Sequence, residues 1–452
     1  ALDSSDVPIL AQTLDAFLKS RLPKLTSDSL FQVGSRVCTM ASSILVIAIV
    51  ARALDPVDFG FWVLATSLSS FAICFDLGIG NALRNRIGIR LESNEAMTSF
   101  WLSFVVLVMV AAIAITVAAM LKEGFDWSLL LKGANGSDLE RGAAAIALGF
   151  TCYIILQPIL LGMKGFYSYQ EARLNSLFET TQACLMLMAA AITLYADLSL
   201  LGGLTLYFGL ILVNSAVSLF VFVQLRGWAH GITPALCDGL RSAKWILKSA
   251  PPFCLLQIAS AFIVTLPPFL VSMLTGVDDA GIFRAVFVGF LAILALQAAY
   301  MMPIWTAFSL AYHDRDRAKA MALLRSGLFR NLLLLLILPV VVLAGADVIE
   351  IWMGRPFDDT QLLLTLSAWC ILSAYITVLS VFLNGANRQL FSFYAAVPGL
   401  LLLVPLSVWA GEDQSALGVS IALIVTAILT LCLHTVFVVY TLKTAFTSAV
   451  TR

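Results

Sequence analysis

Charged residues are few in this sequence: 12% are Asp, Glu, Lys or Arg, while 60% are hydrophobic. A soluble domain carries about a quarter charged and about half apolar residues. That shortage, with a mean hydropathy of +0.96, excludes an ordinary water-soluble protein. Net charge is lacking too, because 27 basic residues balance 27 acidic ones. No nucleic-acid partner is therefore expected. There are only three histidines, and the eight cysteines show no metal spacing. Seven of the eight, all but Cys237, lie in apolar runs and read as small buried hydrophobes. No G-x-x-x-x-G-K-[ST] occurs, so no P-loop hydrolyses ATP here. A large polar insertion is also missing. The longest loop on the weakly charged side, Leu121–Arg141, is about the length of one membrane span.

What the chain has in quantity is long uncharged runs. They cover Val37–Ala51, Phe59–Phe75, Met97–Met120, Gly142–Met163, Thr180–Ala196 and Leu198–Leu225. A second set covers Ser249–Val277, Ala285–Tyr312, Asn331–Ala346, Thr360–Asn387, Gln389–Gly411 and Gln414–Leu442. A helix needs about 20 apolar residues to cross a bilayer. Most runs meet that length; the first, second, fifth and ninth need flanking residues. The fold class is therefore all-α, a polytopic membrane protein of about twelve spans. Of the 27 Lys and Arg, 21 fall on one side of this topology. The positive-inside rule makes that side cytoplasmic, with both termini on it.

A faint repeat divides the chain. Val57-Asp58-Phe59-Gly60-Phe61-Trp62 recurs loosely as Asp278-Asp279-Ala280-Gly281-Ile282-Phe283, 221 positions later. An Arg cluster follows each copy one span on: Arg84, Arg86 and Arg90, then Arg315, Arg317 and Arg325. Six spans per half leave both halves in the same orientation. Two six-helix bundles, 29–226 and 249–443, are expected about an axis along the membrane normal, with a substrate site between them. Residues 227–248 would link them, with an interfacial amphipathic helix over Leu236–Leu247. Segments 1–28 and 444–452 would be cytoplasmic tails, the first amphipathic or without fixed structure.

These motifs resemble a known family. G-F-W at Gly60–Trp62 and F-D-L-G-I-G-N-A-L-R-N-R at Phe75–Arg86 are similar to the polysaccharide flippases. So are P-P-F at Pro251–Phe253, the turn Gly276–Phe283, and P-I-W-T-A-F-S at Pro303–Ser309. Those flippases belong to the multidrug/oligosaccharidyl-lipid/polysaccharide exporter superfamily. The resemblance implies a V-shaped exporter in a bacterial inner membrane. It implies transfer of undecaprenyl-diphosphate-linked oligosaccharide units to the periplasmic leaflet, for lipopolysaccharide or exopolysaccharide synthesis. Polysaccharide polymerases and assembly proteins would be its partners, beside the membrane lipid itself. A multidrug or cation antiporter of the same superfamily is the first alternative; a membrane glycan polymerase or ligase is the second.

The chemistry of such a cargo selects candidate residues. Stripping one sugar hydroxyl of water without a replacement partner costs about 4–8 kcal/mol in an alkane-like medium. Polar groups on or beside the spans that can replace water are Gln32, Asn81, Asn214, Gln257, Gln297 and Tyr300, with Ser35, Ser42, Ser43, Gln157 and Gln182. Each, taken singly, also reads as a helix–helix hydrogen bond. A diphosphate needs cations, and Arg offers it a fork of donors. Arg36, Arg284 and Arg52 border apolar runs and are the candidates. Arg36 also reads as a residue snorkelling to headgroups. Asp76 and Glu179 are the candidates for H+ or Na+ coupling. The alternatives are an Asp76 ion pair with Arg84 or Arg36, an Asp76 cap on a helix break at Gly78/Gly80, and a Glu179 pair with Arg173. His434 reads as a packed histidine. No cofactor is expected.

Overall fold

The computed structural model describes residues 27–89, 93–169, 171–229, 244–386, 388–411 and 416–444, and those residues form helices with no strand among them. The first half contains α1 (Ser27–Ala53), α2 (Pro56–Ala72), α3 (Ile79–Ile89), α4 (Ser93–Gly124), α5 (Ser137–Ile159), α6 (Leu161–Ser168), α7 (Ala172–Tyr195) and α8 (Leu200–Leu225). The short α9 (Lys244–Ser249) leads into the second half. There follow α10 (Pro251–Leu274), α11 (Val277–His313), α12 (Arg317–Leu335), α13 (Ile337–Met353), α14 (Thr360–Gly385), α15 (Gln389–Ala410) and α16 (Ala416–Thr444). Most of the expected linker helix, Leu236–Leu247, lies outside the described residues, as does nearly all of 1–28.

Among the described residues, ten helices are long and apolar enough to cross a membrane. The second and ninth runs make up the twelve, and both are broken. After α2 the chain tightens into a 3-10 turn over Ile73–Asp76, then takes two left-handed residues, Leu77 and Gly78. The break between α12 and α13 lies at Leu336. Pro339 has no N–H to return to the carbonyl of residue 335, which frees the chain to bend there. Elsewhere the ends are set locally. Ser199 and Asp359 cap α8 and α14 by accepting the N–H of Gly202 and of Leu362. A left-handed Gly354 closes α13.

Helices of each half pack mainly with one another: α1 along α7 and α2 along α5, then α14, α15 and α16 together. The two halves share one apolar core, which joins Phe59, Trp62 and Phe208 to Phe283, Phe287 and Trp369. Toward the Arg-rich end the core divides. Phe100, Phe166 and Phe222 belong to a separate cluster of the first half. Phe308, Leu324 and Phe382 belong to a separate cluster of the second. On the side of α1 and α11 the molecule is thus joined at the weakly charged end and splayed at the basic end, while α3 and α10 stay in contact on the other side.

The repeat explains how the joined end closes. A Cβ added at Gly60 would strike Val277, and one at Gly281 would lie 2.9 Å from Phe59 and 3.5 Å from the Cα of Gly60. The equivalent glycines of the two copies therefore face each other where α2 crosses α11. Only residues without side chains allow backbones this close.

Candidate functional site: an arginine-lined cavity between the halves

The splay leaves a cavity of about 470 Å³ between α1 and α11. From α1 come Arg36, Thr39, Met40, Ser43 and Ile44. From α11 come Arg284, Val288, Leu291, Ala292, Ala295 and Ala298, and α10 adds Val264. Among the described residues two guanidinium groups and two hydroxyls line it, and no carboxylate does.

Arg284 sits two turns inside α11. Nη1 donates to the Val264 carbonyl at 3.4 Å, and the guanidinium lies 5.9 Å from the Phe287 ring centre. No acidic side chain pairs with it among the described residues. A cation inside a span costs about 2.5–3.5 kcal/mol on insertion scales, and such groups usually find a partner or a function. Arg36 lies at the mouth and is exposed. Its Nη2 donates to the Tyr167 hydroxyl at 3.4 Å. That hydroxyl donates to Glu179 at 3.0 Å, and Asn175 donates to the same carboxylate oxygen at 2.8 Å. Arg84 stands over the Tyr167 ring at 4.9 Å. Glu179 is thus held behind Arg36 and does not line the cavity.

Asp76 is fully buried but is likewise not in the cavity. Its partner is neither Arg84 nor Arg36: Oδ2 accepts from Lys164 Nζ at 2.8 Å and from Gln257 Nε2 at 3.1 Å. The other oxygen accepts the Gly80 N–H at 2.9 Å and so caps α3 across the helix break. Lys164 belongs to α6, which continues the fourth span past Met163, and Gln257 belongs to α10. The bond therefore ties the two halves on the face away from α1 and α11. Gly78 completes that tie. Its φ is +76°, and an added Cβ would lie against Ala250 and 2.6 Å from the Cys254 nitrogen.

Arg52 sits at the joined end. It donates to the Ile351 carbonyl at 2.6 Å, which fastens α1 to the end of α13. Arg355 donates to the carbonyls of Ala51 at 2.7 Å and Leu54 at 2.8 Å. Burial holds Arg355 below the ordinary arginine range, against the pull of Asp278 and Asp55. Lys132 and Ser272 add bonds to Leu274 and Leu130 across the same seam.

The remaining amides are spread out. Asn214 donates to the Phe178 carbonyl at 3.2 Å. Gln297 donates to Asn331 at 2.8 Å and to Ala374 at 2.6 Å. Both are helix–helix bonds within one half. Asn81 is half-buried on α3. The side chains of Gln32 and Tyr300 lie outside the described residues. Of the expected binding residues, the fold brings together Arg36 and Arg284, with Ser43 between them. Lys164, which holds Asp76, Tyr167, which holds Arg36, and Arg355, which bonds across the joined end, are partners that the uncharged runs leave in loops. Gly165 disfavours a helix over Met163–Ser168, which hides Lys164 and Tyr167 on a continued span.

Solved membrane transporters share this fold of two helical halves with a cavity between them. An inward-facing multidrug resistance MATE transporter has it with a TM-score of 0.67 at 15% identity, over 95% of this chain and 99% of that one. The lipid II flippase MurJ, in an inward closed conformation, has it with 0.68 at 11% identity, over 93% and 89%. A MOP-superfamily transporter from Pyrococcus furiosus, described as having a binding pocket of reverse polarity, has it with 0.55 at 16%, over 93% and 100%. No curated protein sequence matches. The family model described as polysaccharide biosynthesis protein matches residues 25–306, and the chain belongs to that family.

Proposed function

We propose that this protein carries undecaprenyl-diphosphate-linked oligosaccharide units from the cytoplasmic to the periplasmic leaflet of a bacterial inner membrane. The observation that carries the reading is Arg284: a cation deep in the cavity with no acidic partner among the described residues, in line with a second arginine at the mouth. An anionic ligand supplies the missing charge, and diphosphate oxygens suit guanidinium forks. A cationic drug would need carboxylates in that lining, and among the described residues the lining has none.

In this reading the basic end is cytoplasmic, and bundles 29–226 and 249–443 rock about the joined end. The headgroup enters between α1 and α11 while the lipid tail stays in the bilayer. The diphosphate meets Arg36 first and Arg284 next. Release of the Arg52, Lys132 and Arg355 bonds then opens the other end. The membrane potential assists, since moving one negative charge outward through 100 mV gains about 2.3 kcal/mol. Asp76 and Glu179 remain the coupling candidates, Asp76 through exchange of Lys164 for a proton or Na+.

The test is a leaflet assay in proteoliposomes. Labelled lipid-diphosphate oligosaccharide should change sides while a cationic dye should not be transported. Dye transport with a stationary lipid would favour the antiporter.

A further inference from the structure

A second chamber, of about 330 Å³, opens inside the second half between α10, α14, α15 and α16. Val264 and Leu291 line both it and the arginine cavity, so the two spaces adjoin. Unlike the first, it is lined by no Asp, Glu, Lys or Arg among the described residues. Its polar groups are hydroxyls, among them Ser373, Ser392 and Thr430, with buried His434. The Ser373 and Thr430 hydroxyls have no protein partner among the described residues. His434 Nδ1 is engaged by the Thr430 carbonyl at 2.9 Å, which leaves Nε2 for the chamber. One wall is aromatic. Trp369 packs on Phe287 with ring centres 4.8 Å apart, and Phe287 is the ring beside Arg284.

We propose that this chamber is a neutral-sugar subsite, which receives a sugar ring of the cargo while Arg284 holds the adjoining diphosphate. The proposal rests on the flippase reading and extends it. Unpaired hydroxyls in an apolar wall replace the water that a sugar loses. The absence of charge turns the diphosphate back to Arg284. The volume lies at the lower end of the roughly 300–1,000 Å³ of ligand pockets, room for a sugar ring and not for a long chain.

Equilibrium binding to the full-length protein in detergent tests it. The probes are undecaprenyl diphosphate and its glucosyl, galactosyl and N-acetylglucosaminyl forms. At least one sugar-bearing probe should bind about tenfold more tightly than the bare lipid, the scale of two hydrogen bonds. Ser373→Ala with Thr430→Val should erase that increment and leave bare-lipid binding unchanged, which also reports folding. Ser373→Leu, which fills the chamber instead of stripping it, should do the same. The subsite is overturned if no sugar-bearing probe exceeds the bare lipid, or if both variants weaken all four probes alike. The flippase reading fails separately if bare undecaprenyl diphosphate binds no less tightly to Arg284→Gln than to the wild type. Failure of every probe to bind overturns both.

Discussion

Lys164 Nζ lies 2.8 Å from Asp76 Oδ2, and this pair closes the helix break on which the second span turns. The carboxylate is fully buried, whereas the ammonium side chain keeps 23% exposure. The cost of separating them falls mainly on Asp76. Breaking a buried pair from one side costs about 3–5 kcal/mol, whereas replacing both members is often close to neutral. Lys164→Met should therefore lower thermal stability in detergent strongly. Adding Asp76→Asn should recover most of the loss, because Asn retains the cap on Gly80. A double variant as unstable as the single one would contradict the pairing.

Arg284 should dominate binding of the diphosphate. Hydrogen bonds to charged groups are worth about 1.5–3 kcal/mol, so Arg284→Gln should weaken undecaprenyl diphosphate binding about 10- to 100-fold. Its melting temperature should hold or rise, since the variant removes a cation with no acidic partner. Isothermal titration together with thermal melts reads both effects.

The tie at Gly78 permits no side chain. A left-handed residue with a Cβ costs about 1–3 kcal/mol, and here that Cβ would also press on Ala250 and Cys254. Gly78→Ala should destabilise the protein and loosen the α3–α10 contact. Faster labelling of Cys254 by a thiol reagent would report the loosening.

Movement of the halves should depend on the joined end. Ser272 bonds to the Leu130 carbonyl at 2.8 Å across that seam. In a cysteine-free background, Leu130→Cys with Ser272→Cys should form a disulfide under oxidation. Transport should stop when it forms and return on reduction. Transport that continues through the lock would exclude rocking about this seam.

Much of this plan is legible in the sequence, for physical reasons that differ by residue. The spans show because lipid tolerates few charges, and the broken second and ninth spans are two of the runs that fall short of bilayer length. Gly60 and Gly281 show through the repeat. Arg36 and Arg284 show because each borders an uncharged run. Lys164 does not show: charge counting puts it in a loop, while the helix in fact continues through Ser168. The chamber residues do not show either. Ser42 and Ser373 look alike in sequence, yet Ser42 donates to the Ala183 carbonyl at 2.6 Å, whereas Ser373 faces open space. Only packing between distant helices separates those cases.

The most direct measurement is headgroup movement in proteoliposomes that hold an inside-negative potential. Labelled undecaprenyl-diphosphate oligosaccharide is added with the wild type or with Arg284→Gln, and headgroup exposure on the far leaflet is followed in time. Transfer by the wild type is expected, with near-complete loss in the variant and protein folding intact. Equal transfer by both proteins, or none by the wild type, would contradict the flippase reading.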